Sequence, residues 1–454
     1  MSNPEKIIED ILGALRTVQG KSASTLIKDD SFRLPRLIPA GGGGTIQITK
    51  EIDDLITRLA RELKTKRPAL TRNIKDSEWR NWVRTTIGPL LASTSLAVSA
   101  AKQAAPLLEK LEDALNGIVA NLNPLEYTFG TTLFSNSDIS PFTIGPVAIE
   151  PREVWLDRKV AEGDVTSVTQ RRVRRIWAGT RVGPRKNNRE KLREGDILKA
   201  IGPCQYVCTV KLSAAFATEA GLETALTAAR LALACAALAF ETPSETPRGF
   251  NLHYDGPIHT QSALVCVPGK ITLSGSRLSR RPTGPFMRAK DWQAELTRLA
   301  DTFAACGEVL NNLVDPARST SRPELLEALL QAVIWFEKGC REVRDLMATV
   351  GFAASLDALG KGTKTNGILT MLEARLGIKR TDAINPQGPT FQSVLETIYS
   401  EGRSRTIHGT SQRIGYDWAN TRGIAEQLAR YALVASFDHV ARTPAATRTD
   451  DLKK

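Results

Sequence analysis

The chain has 454 residues, 42% of them hydrophobic, with a formal net charge of +12 at pH 7. That length exceeds what one hydrophobic core usually serves, so two or three domains are expected. The charge points to polyanionic partners such as nucleic acid or anionic lipid and is silent on fold. No uncharged apolar run is long enough for a membrane span. The most apolar stretch, ALTAARLALACAALAFE (225–241), is broken by Arg230 and reads as a buried helix.

At the N-terminus, Ile7, Ile8, Ile11, Leu12 and Leu15 recur at helical spacing. The same stretch lacks the apolar core and cleavage site of a signal peptide, and the six scattered cysteines read as thiols of a reduced, cytoplasmic protein. PAGGGGT (39–45) lacks the Lys-Ser/Thr of a phosphate-binding loop and reads as a flexible linker. Helical patterns resume over 50–64 and over 85–121, the latter long enough for two helices. Residues 1–122 are therefore expected to be an N-terminal helical region.

From about 126 to 155, aromatic and β-branched residues are cut by Gly, Pro, Ser and Asn, as in short strands and turns. CQYVCTVKLSA (204–214) and SALVCVPGKITLSGSRL (262–278) read as further strands, separated by a helix over 218–241. Residues 123–284 are thus expected to be a mixed α/β region that senses a trigger or binds RNA.

RRVRRIWAGTRVGPRKNNREKLR (171–193) is its most basic part. One reading is a solvated helix face and loop. The other is a phosphate-tracking surface in which Arg171, Arg172, Arg174, Arg175, Arg185 and Lys186 contact RNA and Trp177 stacks on bases. A single tryptophan in an alternating pattern is more often core.

SRRPTGP (279–285) marks a break, after which the pattern is almost wholly helical. Helices are predicted over 290–314 and over 321–360. The second has Ser321 as N-cap and Pro323 in its first turn, and divides near 349–351. Shorter helices follow over 365–377, closed by Gly377, and over 420–442, with a loop at 384–390 between them. The tail 443–454 is expected to be disordered. The fold class is α+β, predominantly helical.

The chemistry narrows by elimination. There is no nucleophile elbow, dinucleotide fingerprint or HExxH motif. The six cysteines lack zinc-site spacing, and four lie in apolar runs. His253 and His259 fall in a turn-rich stretch and read as turn or surface histidines. His439 sits near the end of the last helix, where it suits the helix terminus or simply packs.

His408 has different company. In YSEGRSRTIHGT (399–410) it follows Arg403 by five residues. Histidine moves protons near neutral pH, and the arginine fork fits phosphate oxygens. Together they suffice to cleave RNA without metal, using the substrate's own 2′-hydroxyl as nucleophile. At about 100° per residue, however, positions five apart diverge on a straight helix. Either the segment bends, or two copies pool their pairs across a two-fold axis.

The stretch IYSEGRSRTIHGT resembles the signature of HEPN domains, in particular the Apea-like HEPN family of prokaryotes. Tyr399, Arg403, Ser404, Ile407, His408 and Gly409 match it. LLQAVIWFEKGCREVRDLMATVGFAASLDALG is similar to the family's paired helices, with Asp357 where a glutamate is common. The resemblance covers about 285–442, and FTIGPVAIEPREVWLD (142–157) is similar to the region that precedes the domain.

The resemblance implies a C-terminal helical bundle over 285–442, often dimeric, acting as a metal-independent endoribonuclease in antiviral defence or as a toxin. Arg403 and His408 would form the catalytic pair, with Ser404 supporting. Arg405 lies outside the motif and reads either as an RNA-phosphate contact or as a solvated charge. The expected partners are RNA and a second copy of the chain, with no membrane and no cofactor or metal. The alternative is a non-catalytic HEPN module that binds nucleic acid or protein.

Overall fold

The computed structural model describes residues 3–19, 21–29, 36–67, 73–213, 215–241, 243, 250–255, 261–267, 270–277, 284–384 and 386–454. His259 and most of the 279–285 break lie outside these residues, as do the side chains of 261–277, Cys266 among them. The fold is α+β and predominantly helical, at 63% helix against 9% strand. It divides into two compact units, Met1–Leu125 with Leu212–Thr224, and Glu126–Lys211 with Ala225–Lys454. The expected boundary near 284 separates no compact unit; the mixed region and the C-terminal helices share one.

In the first unit, Asn3 caps α1 (Pro4–Val18) and Thr49 caps α3 (Lys50–Thr65), each accepting a backbone N–H on its side-chain oxygen. Between them lies α2 (Ala23–Asp29), then the hairpin β1 (Arg36–Gly41) and β2 (Gly44–Ile48). After α3 come α4 (Asp76–Ser93) and α5 (Ala100–Ala120). The apolar faces of all but α2 meet in one core that includes Ile11, Ile38, Leu59, Trp79 and Leu111. The glycine run is therefore not a flexible linker. Gly42 and Gly43 take φ of 58° and 82°, the left-handed pair that a two-residue hairpin turn requires and that side chains resist.

The second unit is built on an antiparallel sheet of five strands in the order β4-β5-β6-β3-β7. These are β3 (Glu126–Thr132), β4 (Phe142–Ile144), β5 (Val147–Pro151), β6 (Tyr206–Lys211) and β7 (Asn251–Leu252). Three helices, α6 (Arg152–Ala161), α7 (Ser167–Trp177) and α8 (Asn188–Ile201), share a core of Trp155, Leu156, Val173 and Ile197 with Val207 of β6. A separate hairpin pairs β8 (Gln261–Val267) with β9 (Lys270–Arg277).

One helix, α9 (Thr218–Ala237), is long and apolar enough to cross a membrane, and it is largely buried within the protein as expected.

The C-terminal helices are α10 (Ala289–Arg298), α11 (Ala300–Val314), α12 (Pro323–Arg341), α13 (Asp345–Leu359), α14 (Lys364–Leu376), α15 (Phe391–Glu396) and α16 (Ala419–Arg442). The helix expected over 290–314 is divided at Leu299, and the one over 321–360 divides at 342–344 rather than 349–351. Thr349 and Gly351 are buried inside α13, where Gly351 lets the α12 backbone approach closely. Arg322, not Ser321, is the N-cap of α12, with Pro323 opening the helix. Helix α13 lies between α12 and α16 and is buried along almost its whole length.

The tail is ordered, contrary to expectation. Residues Thr449–Lys453 form a 3-10 turn with Leu452 fully buried, because Leu452 and Ala446 supply apolar anchors within an otherwise polar stretch.

Candidate functional site

The motif segment is helical but not uniformly α-helical. Between α15 and Ser404 the chain widens into a π-helix, Thr397–Ser404, and returns to an α-turn over Arg405–Ile407. Such π segments are rare and recur at functional positions. This one buries Ile398, Tyr399 and Gly402, with Gly402 closely packed against Thr349 and Trp418.

The π-helical turn aims Arg403 at α13. Its Nη1 donates to the Tyr399 hydroxyl at 2.8 Å, and its Nη2 lies 3.2 Å from Asp357 Oδ2. The Tyr399 hydroxyl in turn donates to that same carboxylate oxygen at 3.4 Å. Burial, and then the Asp357 charge, push the Tyr399 phenol upward, so it stays protonated and able to donate. Two buried atoms here, Asp357 Oδ1 and Arg403 Nε, have no hydrogen-bond partner among the described residues.

These groups form one wall of a groove of about 510 Å³. Helix α12 lines it with Glu324, Glu327, Ala328, Gln331 and Trp335, a stripe at helical spacing. Helix α13 adds Ala354, Asp357 and Ala358; Lys361 and Thr449 complete the rim. Trp335 is exposed at 44%, so its ring is available to a planar ligand.

His408 lies beyond the π-helical turn. It ends the helical stretch, and Gly409 follows at φ 69°. Two bonds close the end, Gly409 N–H to Thr406 O at 3.2 Å and Thr410 N–H to Arg405 O at 2.8 Å. That is a Schellman cap, and it explains the glycine after the histidine. The imidazole is exposed and does not line the groove. One copy of the chain therefore does not gather the guanidinium and the imidazole on this surface. Ser404 is half-buried, and its carbonyl accepts the His408 N–H. Arg405 pairs with Glu401 at 3.0 Å, one turn away, as a solvated helix charge would.

The expected RNA contacts in 171–193 do not form one set. Arg171, Arg175 and Lys186 are exposed, whereas Arg172, Arg174 and Arg185 are held in ion pairs within the protein. Trp177 is not a free stacking platform. It is half-buried against the α6–α8 core, with Arg152 over its ring at 4.5 Å.

His253 sits in a 3-10 turn, its ring against Gly202, and His439 is half-buried beside Thr443. Cys204, Cys208, Cys235, Cys306 and Cys340 are buried and in no disulfide among the described residues. Among the described residues no group of three His, Cys, Asp or Glu side chains is placed to hold a metal.

Trp335 and Lys361 escaped the sequence reading. Trp335 had a readable signal, since it shares the polar stripe of Glu324, Glu327 and Gln331, where an apolar ring has no core to enter. Comparison with protein-family models, curated proteins and solved structures finds no match.

Proposed function

We propose that residues 285–442 form a HEPN-type, metal-independent RNA-cleaving site, assembled from two copies of the chain and acting in antiviral defence or as a toxin. The observation that carries this reading is the placement of Arg403. Tyr399 and Asp357 hold its guanidinium at the wall of an open groove, on a π-helical turn. A side chain fixed this way needs little reorganisation to meet a phosphate.

The chemistry uses the substrate's own hydroxyl. His408 takes the proton from the 2′-oxygen, which attacks the adjacent phosphorus. The P–O5′ bond breaks, and the leaving oxygen takes up a proton from a His408 imidazolium. Arg403 stabilises the charge that builds on the non-bridging oxygens. Products carry a 2′,3′-cyclic phosphate and a 5′-hydroxyl.

Pooling two copies reconciles this chemistry with a groove that Arg403 lines and His408 does not. Ile407, next to His408 in the chain, and Ile414 and Tyr416 in the segment that follows are exposed at 59%, 68% and 66%, apolar side chains that a second copy would cover.

A second reading is a non-catalytic HEPN module. It is favoured by the neutralisation of Arg403 by Asp357 within one chain. The deciding experiment incubates purified wild-type and His408→Ala protein with total RNA in chelator and maps the product ends. Cyclic-phosphate ends from the wild type alone support cleavage. Equal, negligible cleavage by both supports the binding module.

A further inference from the structure

The basic helices of the second unit sort their cations into two groups with different work. Arg172 donates to Glu194 at 2.6 Å and to the Gly183 carbonyl at 2.9 Å. Arg185 reaches Glu190 and Glu194, both at 3.1 Å, and Thr169 Oγ1 at 2.9 Å. Arg174 bridges to Glu153 at 2.8 Å and Asp157 at 2.5 Å on α6. Arg193 holds Glu190 at 2.8 Å. Arg172, Arg174 and Arg185 fasten α6, α7, α8 and the 178–187 loop to one another, Arg193 pairs within α8, and together they engage Glu153, Asp157, Glu190 and Glu194.

The other group is Arg171, Arg175, Arg181, Lys186, Arg189 and Lys191. All six are exposed, and none makes an ion pair among the described residues. Arg171 and Arg175 stand one turn apart on α7, on the side away from the buried Thr169 and Val173. Arg181 and Lys186 sit on the loop that Arg172 and Arg185 tie down, and Arg189 and Lys191 open α8. Like charges one turn apart repel. The fold therefore holds a set of unneutralised cations on a braced support, against their mutual repulsion. An anionic partner removes that cost.

We infer that this face binds the sugar–phosphate backbone of structured, base-paired RNA. Two features select that partner. The large apolar side chains exposed over 167–201 are Val168 and Leu192, too few for the apolar face of a helix that lies in a bilayer surface. The segment also offers no exposed aromatic ring, since Trp177 is occupied by Arg152. Without a stacking platform, a single strand loses its main sequence-tolerant contact. Recognition rests on phosphates, which position an RNA without reading its bases. The inference stands on these helices alone and does not require the chain to cleave what it holds.

The test measures affinity of full-length His408→Ala protein for an RNA hairpin across 50 to 200 mM salt, so that any cleavage is removed from the readout. The comparison adds Arg171→Gln, Arg175→Gln and Lys186→Gln in one chain. These exposed side chains hold nothing together, so the melting temperature should be unchanged. The triple variant should bind at least tenfold more weakly at the lower salt, with the log–log salt slope reduced by about 2 to 3. An unchanged slope and affinity overturns the inference. So does loss of binding to phosphatidylserine vesicles with RNA binding intact, which assigns the face to lipid. Because binding and cleavage are read separately, an inactive site at His408 leaves this result standing.

Discussion

Arg403 and Tyr399 touch twice: Nη1 donates to the phenol at 2.8 Å, and Cζ lies 5.1 Å from the ring centroid. The ring supports the guanidinium while the hydroxyl links it to Asp357. The two contacts can be separated. Tyr399→Phe keeps the ring and removes the link, costing about 1 kcal/mol of stability; under the proposed function it also costs roughly tenfold in single-turnover RNA cleavage, since a loosened guanidinium positions less well. Arg403→Ala removes the donor itself, and about a hundredfold loss or more is expected. Arg403→Lys should not restore the rate, because an ammonium lacks the planar fork. Wild-type cleavage by the lysine variant would show that Arg403 contributes charge alone or nothing.

Legibility followed periodicity. Ile7, Ile8, Ile11, Leu12 and Leu15 announced the face of α1 that is in fact buried, and the short strands of 126–151 were visible as aromatic and β-branched residues cut by turn formers. What could not be read was whatever depends on distant partners. Arg172 and Arg175 are equivalent in the sequence, yet only the fold brings Glu194 to the first. The π-helical turn is a backbone choice set by packing of Ile398 and Gly402, with no compositional mark. The Arg403–His408 spacing already disagreed with convergence on one face of a straight helix, and in the structure Arg403 lines the groove while His408 does not.

Gly307 shows how a helix can oppose its own propensity. It lies inside α11, where glycine costs about 1 kcal/mol relative to alanine. A Cβ there would meet the Gly145 nitrogen at 2.8 Å, at the turn between β4 and β5. Gly145 has φ of 58°, so the turn is constrained as well. The clash should outweigh the propensity gain, leaving Gly307→Ala net destabilised by about 1–2 kcal/mol. Urea denaturation measures this, and a stabilised variant would mean that hairpin and helix can part freely.

His439 gives the fold a pH dependence of known sign. Burial holds its imidazole below the usual 6.5, and nearby Arg375 acts in the same direction, while Asp451 opposes both. The unfolded chain therefore takes up its proton first as the pH falls. The contribution to stability is fully present above about pH 6.5 and is lost through the window between that value and the lower folded one. Wild-type melting temperature should fall between pH 7.5 and 5.5, and the fall should be shallower in His439→Gln. Parallel profiles for the two proteins would remove His439 as the cause.

The C-terminal tail is held by two kinds of contact whose strengths differ. Lys361 reaches Asp450 at 2.5 Å and Glu324 at 3.3 Å, but these are solvated pairs, and such pairs contribute little. Leu452 is fully buried, Ala446 is 2% exposed and Thr449 is equally covered. Apolar burial should therefore dominate. Leu452→Ala is expected to cost about 2 kcal/mol and to make 443–454 sensitive to limited proteolysis, whereas Asp450→Asn should leave both the denaturation midpoint and the cleavage pattern unchanged. Because Thr449 and Arg403 line the same groove, under the proposed function the leucine variant should also alter RNA cleavage while leaving binding through the cations of α7 and α8 intact. Were the aspartate variant the more damaging of the two, charge rather than burial would be the anchor.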